Sequence, residues 1–332
     1  MHILVCGGAG YIGSHMVKLL LARGHRVTVF DNLSTGHRDA VLGGDFEFGD
    51  LGDAAAIDRV LGAASFDAVM HFAAFIRVDE SVAEPGKYFR NNFSNAVNLL
   101  DAMAKHGVRR FIFSSTAAVY GEPRYVPIDE AHPREPINPY GLSKRMVEDA
   151  LPYYDGAYGV KSVPLRYFNA AGADPEGELG PFNDRVTNLI PVVVRVAAGL
   201  QSELKVFGTD YPTPDGTAVR DYIHVTDLCE AHLAALEYLM DGGDTRAFNL
   251  GVGRGFTVQQ VIDAARRVTG RDLAVVTEGR RPGDASEVIA NPALANQVFG
   301  WKARFVDIDE IVAHNWAWQL KKMAAPPNKS PA

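Results

Sequence analysis

A chain of 332 residues, 47% of them hydrophobic, is long enough for one large domain or two of ordinary size around a sizeable core. Its net charge of −7, from 40 acidic and 33 basic residues with no long run of either sign, argues against a nucleic-acid groove or an anionic membrane surface as partner. Two distant cysteines, Cys6 and Cys229, make no metal-ligand spacing. With no secretory signal and no apolar run near the roughly 18 to 20 residues of a membrane span, they set the cytoplasm as the expected compartment.

The chain opens on an apolar strand, "HILVCGG", that runs straight into "CGGAGYIGSH". Gly7, Gly10 and Gly13 stand three apart between this strand and a helix carrying Met16, Val17, Leu19, Leu20 and Leu21 on one broad stripe, with Gly24 as its stop. In that context the glycines allow a tight turn, a close backbone approach to a pyrophosphate and close helix-strand packing, and the helix N-terminus faces the phosphates. A second strand, "RVTVFDN", ends on Asp31, eighteen residues past Gly13, where a carboxylate accepts hydrogen bonds from adenosine ribose hydroxyls. A 2′-phosphate would meet a negative charge there, which favours NAD over NADP. After the third strand, "FGDLGD" offers Asp50 and Leu51 for adenine contact, or else a helix N-cap at Asp50 or Asp53.

Two further strands, "DAVMHFAA" and "RRFIFSSTAAVYG", alternate with amphipathic stretches, the pattern of βαβ units and a parallel sheet covered on both faces. The second ends in Ser114, Ser115 and Thr116, hydroxyls at the C-terminal edge where open α/β folds bind ligands. Twenty-four residues past Thr116 comes Tyr140, and Lys144 follows four residues later, on the same face of the predicted helix. A phenol is a poor base at neutral pH, but an adjacent ammonium and a positive nicotinamide ring both favour phenolate. The spacing occurs by chance in many helices; its order after the glycine loop and the hydroxyl strand gives it chemical meaning.

Past about residue 170 the texture shifts to Gly, Pro and Asp, as in loops that shape a pocket. The expected architecture is therefore α/β: a Rossmann-like doubly wound parallel sheet over residues 1–170, with segments near 220–250 returning to it. A smaller, interleaved C-terminal α/β substrate domain covers mainly 171–323. The tail "AAPPNKSPA", 324–332, is Pro-rich and polar and is expected to be disordered.

The succession GGAGYIGSH, FAA (72–74), YFRNN (88–92), SSTAAVYG, YGLSK, RYFNAAGA (166–173), RDYIHVTDL (220–228), FNLGVG (248–253) and RRPGD (280–284) resembles the UDP-glucose 4-epimerases of the extended short-chain dehydrogenase/reductase group, from residue 1 to about 320. The resemblance implies a homodimer with NAD as a recycled prosthetic group and a UDP-sugar as substrate. It implies Tyr140 as base, Lys144 tuning it and holding the nicotinamide ribose, and Thr116 bonding the reacting oxygen. The cofactor set becomes Gly7, Gly10, Tyr11, Ile12, Gly13, Asp31, Asn32, Asp50, Leu51, Phe72, Ala73, Ala74, Asn91, Ser114 and Tyr167. For the nucleotide sugar it implies Asn169, Asn188 and Leu189, Phe207 against the uracil, Arg220 and Arg281 on the diphosphate, Asp284 on a hydroxyl, and Tyr222 as pocket lining or core.

Four residues after Asp284 the glucose-restricted members resemble one another in a bulky tyrosine, whereas this chain has Val288, which implies room for an N-acetyl group. Other enzymes of the fold are 4,6-dehydratases, which carry acidic residues after the strand threonine, and decarboxylases, which carry a glutamate in that stretch. Here Ala117 and Ala118 follow Thr116. Pentose 4-epimerisation remains open, and a non-catalytic nucleotide-binding scaffold would be expected to have lost Tyr140, Lys144 or Thr116.

Overall fold

The computed structural model describes residues 1–182, 187–281 and 283–324. Strands β1 (His2–Cys6), β2 (Arg26–Asp31), β3 (Asp45–Phe48), β4 (Ala68–His71), β5 (Arg110–Ser114) and β6 (Lys161–Tyr167) form the central sheet. Of the later strands, β7 (Asn169–Ala171), β8 (Leu204–Phe207) and β9 (Val219–His224) lie outside it, and β10 (Phe248–Leu250) rejoins it. The seven strands run β10-β6-β5-β4-β1-β2-β3 and every pairing is parallel, the doubly wound arrangement that the βαβ pattern predicts.

Helices α1 (Tyr11–Ala22), α2 (Ala54–Ala63), the short α3 (Val78–Ala83) and α4 (Pro85–Tyr88), α5 (Asn95–His106) and α6 (Pro139–Tyr158) connect these strands. Alternate residues of β1 face opposite cores. Ile3 and Val5 join Met16, Val17 and Leu20 of α1, while Leu4 and Cys6 join Ile57 of α2, Leu99 and Leu100 of α5 and Val147 and Leu151 of α6. Local chemistry sets the helix ends. The Asp53 carboxylate accepts from Ala55 N and Ala56 N to start α2, leaving Asp50 out of the cap, and Asn138 accepts from Gly141 N with Pro139 in the first turn to start α6. Before α5, Phe89–Ser94 is a π-helical stretch, which no periodicity in the sequence had indicated.

The C-terminal half builds a second lobe from α7 (Leu189–Ala197), α9 (Val258–Thr269) and α11 (Ile308–Ala324) with β11 (Gly255–Thr257), β12 (Val275–Glu278) and β13 (Glu287–Val288), while α8 (Val225–Met240) and α10 (Ala293–Phe299) return to the first-lobe core. β9 pairs with β11, β13 and β7, and β8 pairs with β12. α7, α9 and α11 bury Ile190, Val193, Val261, Ile262, Ile311 and Val312 around Tyr222, whereas α8 covers the first-lobe core with Leu228, Leu233 and Leu236. Among the described residues no helix is long and apolar enough to cross a membrane. Of the Pro-rich tail, Ala324 closes α11 and the rest lies outside the described residues.

Candidate active site

A cavity of about 720 Å³ opens along the C-terminal edge of the sheet, a volume ordinary for a cofactor site. Its walls include Gly7, Gly10, Tyr11, Ile12, Gly13, Asp31, Asn32, Asp50, Leu51, Phe72, Ala73, Ala74, Asn91, Tyr167 and Asn188. The backbone here leaves no room for larger residues. A Cβ on Gly13 would stand 2.1 Å from Gly7 O, and one on Gly7, at φ +80°, would stand 2.5 Å from Ala73 N. At the end of β2 the Asp31 carboxylate accepts from Ala9 N at 3.0 Å and Leu33 N at 2.8 Å, so it is fixed in place facing the cavity with lone pairs to spare. Asn32 Nδ2 donates to Asp50 Oδ2, and Tyr11 Oη donates to Gly172 O at 2.7 Å, tying the loop to the second lobe. The glycine cradle, helix N-terminus and anchored carboxylate fit a dinucleotide.

Beside this cavity α6 lies across the end of β5. Tyr140 and Lys144 are both buried on its inner face. Lys144 Nζ donates to Ser114 O at 2.8 Å and stands 4.8 Å from the centre of the Phe113 ring. Burial draws the ammonium down to about 7, with the Glu148 carboxylate one turn along opposing the fall. Burial pushes the Tyr140 phenol up, and its hydrogen bond with Thr116 pulls the other way. The Thr116 hydroxyl also accepts from Ala118 N at 3.1 Å, which fixes the turn after β5.

The remaining residues named from the sequence sit on the second lobe. Asn169 on β7 donates through Nδ2 to Asp221 O, and Arg220 and Val288 stand side by side in register on β9 and β13. Arg220 donates to Val219 O and Ala285 O and lies 3.7 Å from Asp284. The Arg281 guanidinium covers the Phe207 ring at 3.6 Å. Leu189 opens α7, partly buried, while Tyr222, on β9, is in the core formed with α7, α9 and α11 and not in the cavity wall.

Several wall residues had no signal in the sequence. Ser34, Thr35 and His37 follow Asp31; Arg77 and Lys87 bring two cations; Phe182 packs on His37. Asn92, beside the predicted Asn91, is the buried one: it accepts from Phe75 N and donates to Phe75 O and Ser143 Oγ, holding the loop after β4 against α6.

A Rossmann sheet with this glycine cradle and a buried tyrosine-lysine pair defines a class, and residues 3–251 match the model of the NAD-dependent epimerase/dehydratase family, to which the chain belongs. Within it, the chain is similar over nearly its whole length to UDP-glucose 4-epimerases. The one from Streptococcus mutans is 49% identical, over 96% of each chain. The crystal structure of the one from Brucella ovis in complex with NAD superposes with a TM-score of 0.93 at 46% identity, covering 95% of this chain and 98% of that one. The UDP-Glc/GlcNAc 4-epimerase of Campylobacter jejuni superposes with a TM-score of 0.85 at 42% identity, covering 96% and 99%. The resemblance carried by the motifs is thereby borne out.

Proposed function

We propose that this protein interconverts UDP-glucose and UDP-galactose by transient oxidation at C4 of the sugar. The observation that carries the reading is the buried Tyr140–Lys144 pair, with Tyr140 against Thr116 and beside Tyr167 in the wall of a cofactor-sized cavity, in a chain similar over 96% of its length to UDP-glucose 4-epimerases. NAD, which the glycine loop would hold, would supply a hydride acceptor for C4 of the sugar and give the hydride back, with no net redox. Asp31 would accept from the adenosine ribose, and Asp50 and Leu51, in the same cavity wall, would border the adenine. Tyr140 takes the proton of the 4-hydroxyl and gives it back on reduction; Thr116 bonds the same oxygen. Lys144 favours the phenolate by its charge and holds the nicotinamide ribose. Between the two hydride steps the ketose turns about its diphosphate linkage, so the nucleotide must be gripped while the sugar is not. Arg220 and Arg281 take the diphosphate, Phe207 the uracil, and Asn169, Asn188, Leu189 and Asp284 the remaining polar edges. Y140F tests the reading: turnover falls by about 10² to 10⁴-fold while NAD stays bound. Undiminished turnover would remove Tyr140 as the base.

A second substrate class is favoured by Val288. This residue packs with Ala117 against Val119, Tyr120 and Phe168, next to the turn that carries Thr116, and is smaller than a tyrosine. UDP-N-acetylgalactosamine is then also epimerised, and V288Y loses that activity while keeping the one on UDP-galactose. Failure of the unaltered protein to turn over the acetylated sugar would remove this reading. Homodimerisation, through the α5 and α6 faces where Tyr153 is 79% exposed, and a cytoplasmic location complete the proposal. Sedimentation equilibrium tests the first: a single species of monomer mass would rule it out.

A further inference from the structure

One buried charge beside the site is unused by the scheme above. Glu148 follows Lys144 by one turn of α6, and its side chain is 2% exposed. Both oxygens accept from Arg166 Nε at 3.1 Å; Oε2 also accepts from Arg166 Nη2 at 2.6 Å and from Arg134 Nη1 at 3.1 Å; Oε1 accepts from Ser115 Oγ at 2.5 Å. Ser115 stands between two residues the reaction depends on. Three successive residues at the end of β5 therefore meet three residues spaced four apart on α6: Ser114 O meets Lys144, Ser115 Oγ meets Glu148, and Thr116 meets Tyr140. Arg166 precedes Tyr167 in β6 and also donates to Tyr120 Oη at 2.9 Å, so the same carboxylate joins helix, strand end and cavity wall.

We propose that Glu148 is a positioning residue for the tyrosine-lysine pair: through Ser115 it sets the carbonyl that holds Lys144 and the hydroxyl that meets Tyr140, and its charge offsets Arg166 and Arg134 so that Lys144 stays an ammonium. The inference rests on the roles given to Tyr140 and Lys144 above. A buried carboxylate supplying only stability would be equally served by a neutral pair, since replacing a buried ion pair by apolar residues is often neutral. Here a third cation, Lys144, is buried one turn away, and Glu148 is the carboxylate whose charge favours its ammonium form. The groups facing this spot from each element are Tyr140 on α6, His71 at the end of β4, Arg166 and Tyr167 on β6, Tyr120 after β5, His232 on α8 at the Ser114 hydroxyl, Glu130 opposite Arg166, and Arg134, which also pairs with Asp149. Burial and the Lys144 charge hold His71 neutral, down to about 3, so it adds no further cation to this spot.

The test is the pH profile of UDP-galactose epimerisation by the full chain with its bound cofactor. E148Q lowers kcat with KM little changed and moves the alkaline limb of kcat down by about one pH unit, because Lys144 gives up its proton earlier. E148D, which keeps the charge, returns the limb to its original position. S115A leaves the ion pair intact and guards against misfolding of E148Q; it lowers kcat about tenfold without moving the limb. An unmoved limb in E148Q, or an unchanged kcat in S115A, overturns the proposal. Y140F run alongside separates the two levels: if Y140F is inactive and the E148Q limb does not move, only the role of Glu148 falls, whereas turnover by Y140F removes the underlying reading and this one with it.

Discussion

At Tyr140 and Lys144 the protein places a phenol and an ammonium where burial opposes the charged form of each. Burial raises the phenol, against its hydrogen bond with Thr116, and lowers the ammonium to about 7, against the Glu148 charge. Replacing Lys144 with methionine keeps most of the volume and removes the charge. Tyr140 then stays protonated, and single-turnover epimerisation should slow by about 10² to 10³-fold; a rate within a factor of two of the original would deny the pair its coupling. That Tyr140 and Lys144 share the inner face of one helix, with Thr116 against Tyr140, was legible in the sequence because residue type and spacing are local signals, and the place of Asp31 because it stands at the end of a strand. Glu148 and Arg166 were not: a glutamate four residues after a lysine reads as a solvated helix pair, and only the folded helix shows that both are buried. The pairing of Arg281 with Phe207 was hidden for a similar reason, since 74 residues of chain separate them.

At the scale of elements, the turn between β1 and α1 decides whether a cofactor binds. A Cβ at position 13 would stand 2.1 Å from Gly7 O, deep inside van der Waals contact and against backbone, which cannot rotate away. G13A should therefore purify without NAD and melt at a lower temperature; full NAD content on acid extraction would show the loop to be more compliant than its geometry indicates. This element was readable, as were β1, β2, β4 and β5, because apolar runs, glycine spacing and amphipathic stripes are local signals. The π-helical Phe89–Ser94 has no local signal, and the short strands β7 and β13 exist because β9 pairs with them. Their register is a tertiary fact, and it is what sets Asn169, Arg220 and Val288 on one small sheet.

For the whole molecule, four buried histidines make a joint prediction. Burial lowers His71 and His224 to about 3 and His15 and His232 to about 4, from an ordinary value of 6.5. The unfolded chain binds protons below about pH 6.5 that the folded protein refuses, so stability is complete above that pH and falls as pH drops toward 4. The slope is about 1.4 kcal/mol per unit for each histidine. Asp221, raised to about 6 by burial against three backbone donors, acts oppositely between 3.8 and 6, as do Glu130 and Asp227, which burial also raises; the four imidazoles outnumber these carboxylates. Calorimetry should show Tm dropping steadily from pH 6.5 to 4.5; a flat Tm over that range would mean these imidazoles are protonated in the fold.

The parallel sheet, the glycine cradle and the buried tyrosine-lysine pair converge on one claim, that the protein inverts C4 of a UDP-hexose with a cofactor it regenerates. The direct test is to incubate the purified protein with UDP-galactose alone and follow the sugar nucleotides by chromatography. UDP-glucose should accumulate to a constant ratio approached equally from either sugar, with no stoichiometric NADH released. If the UDP-galactose remains intact, even after NAD is supplied, the protein is not the epimerase its site describes.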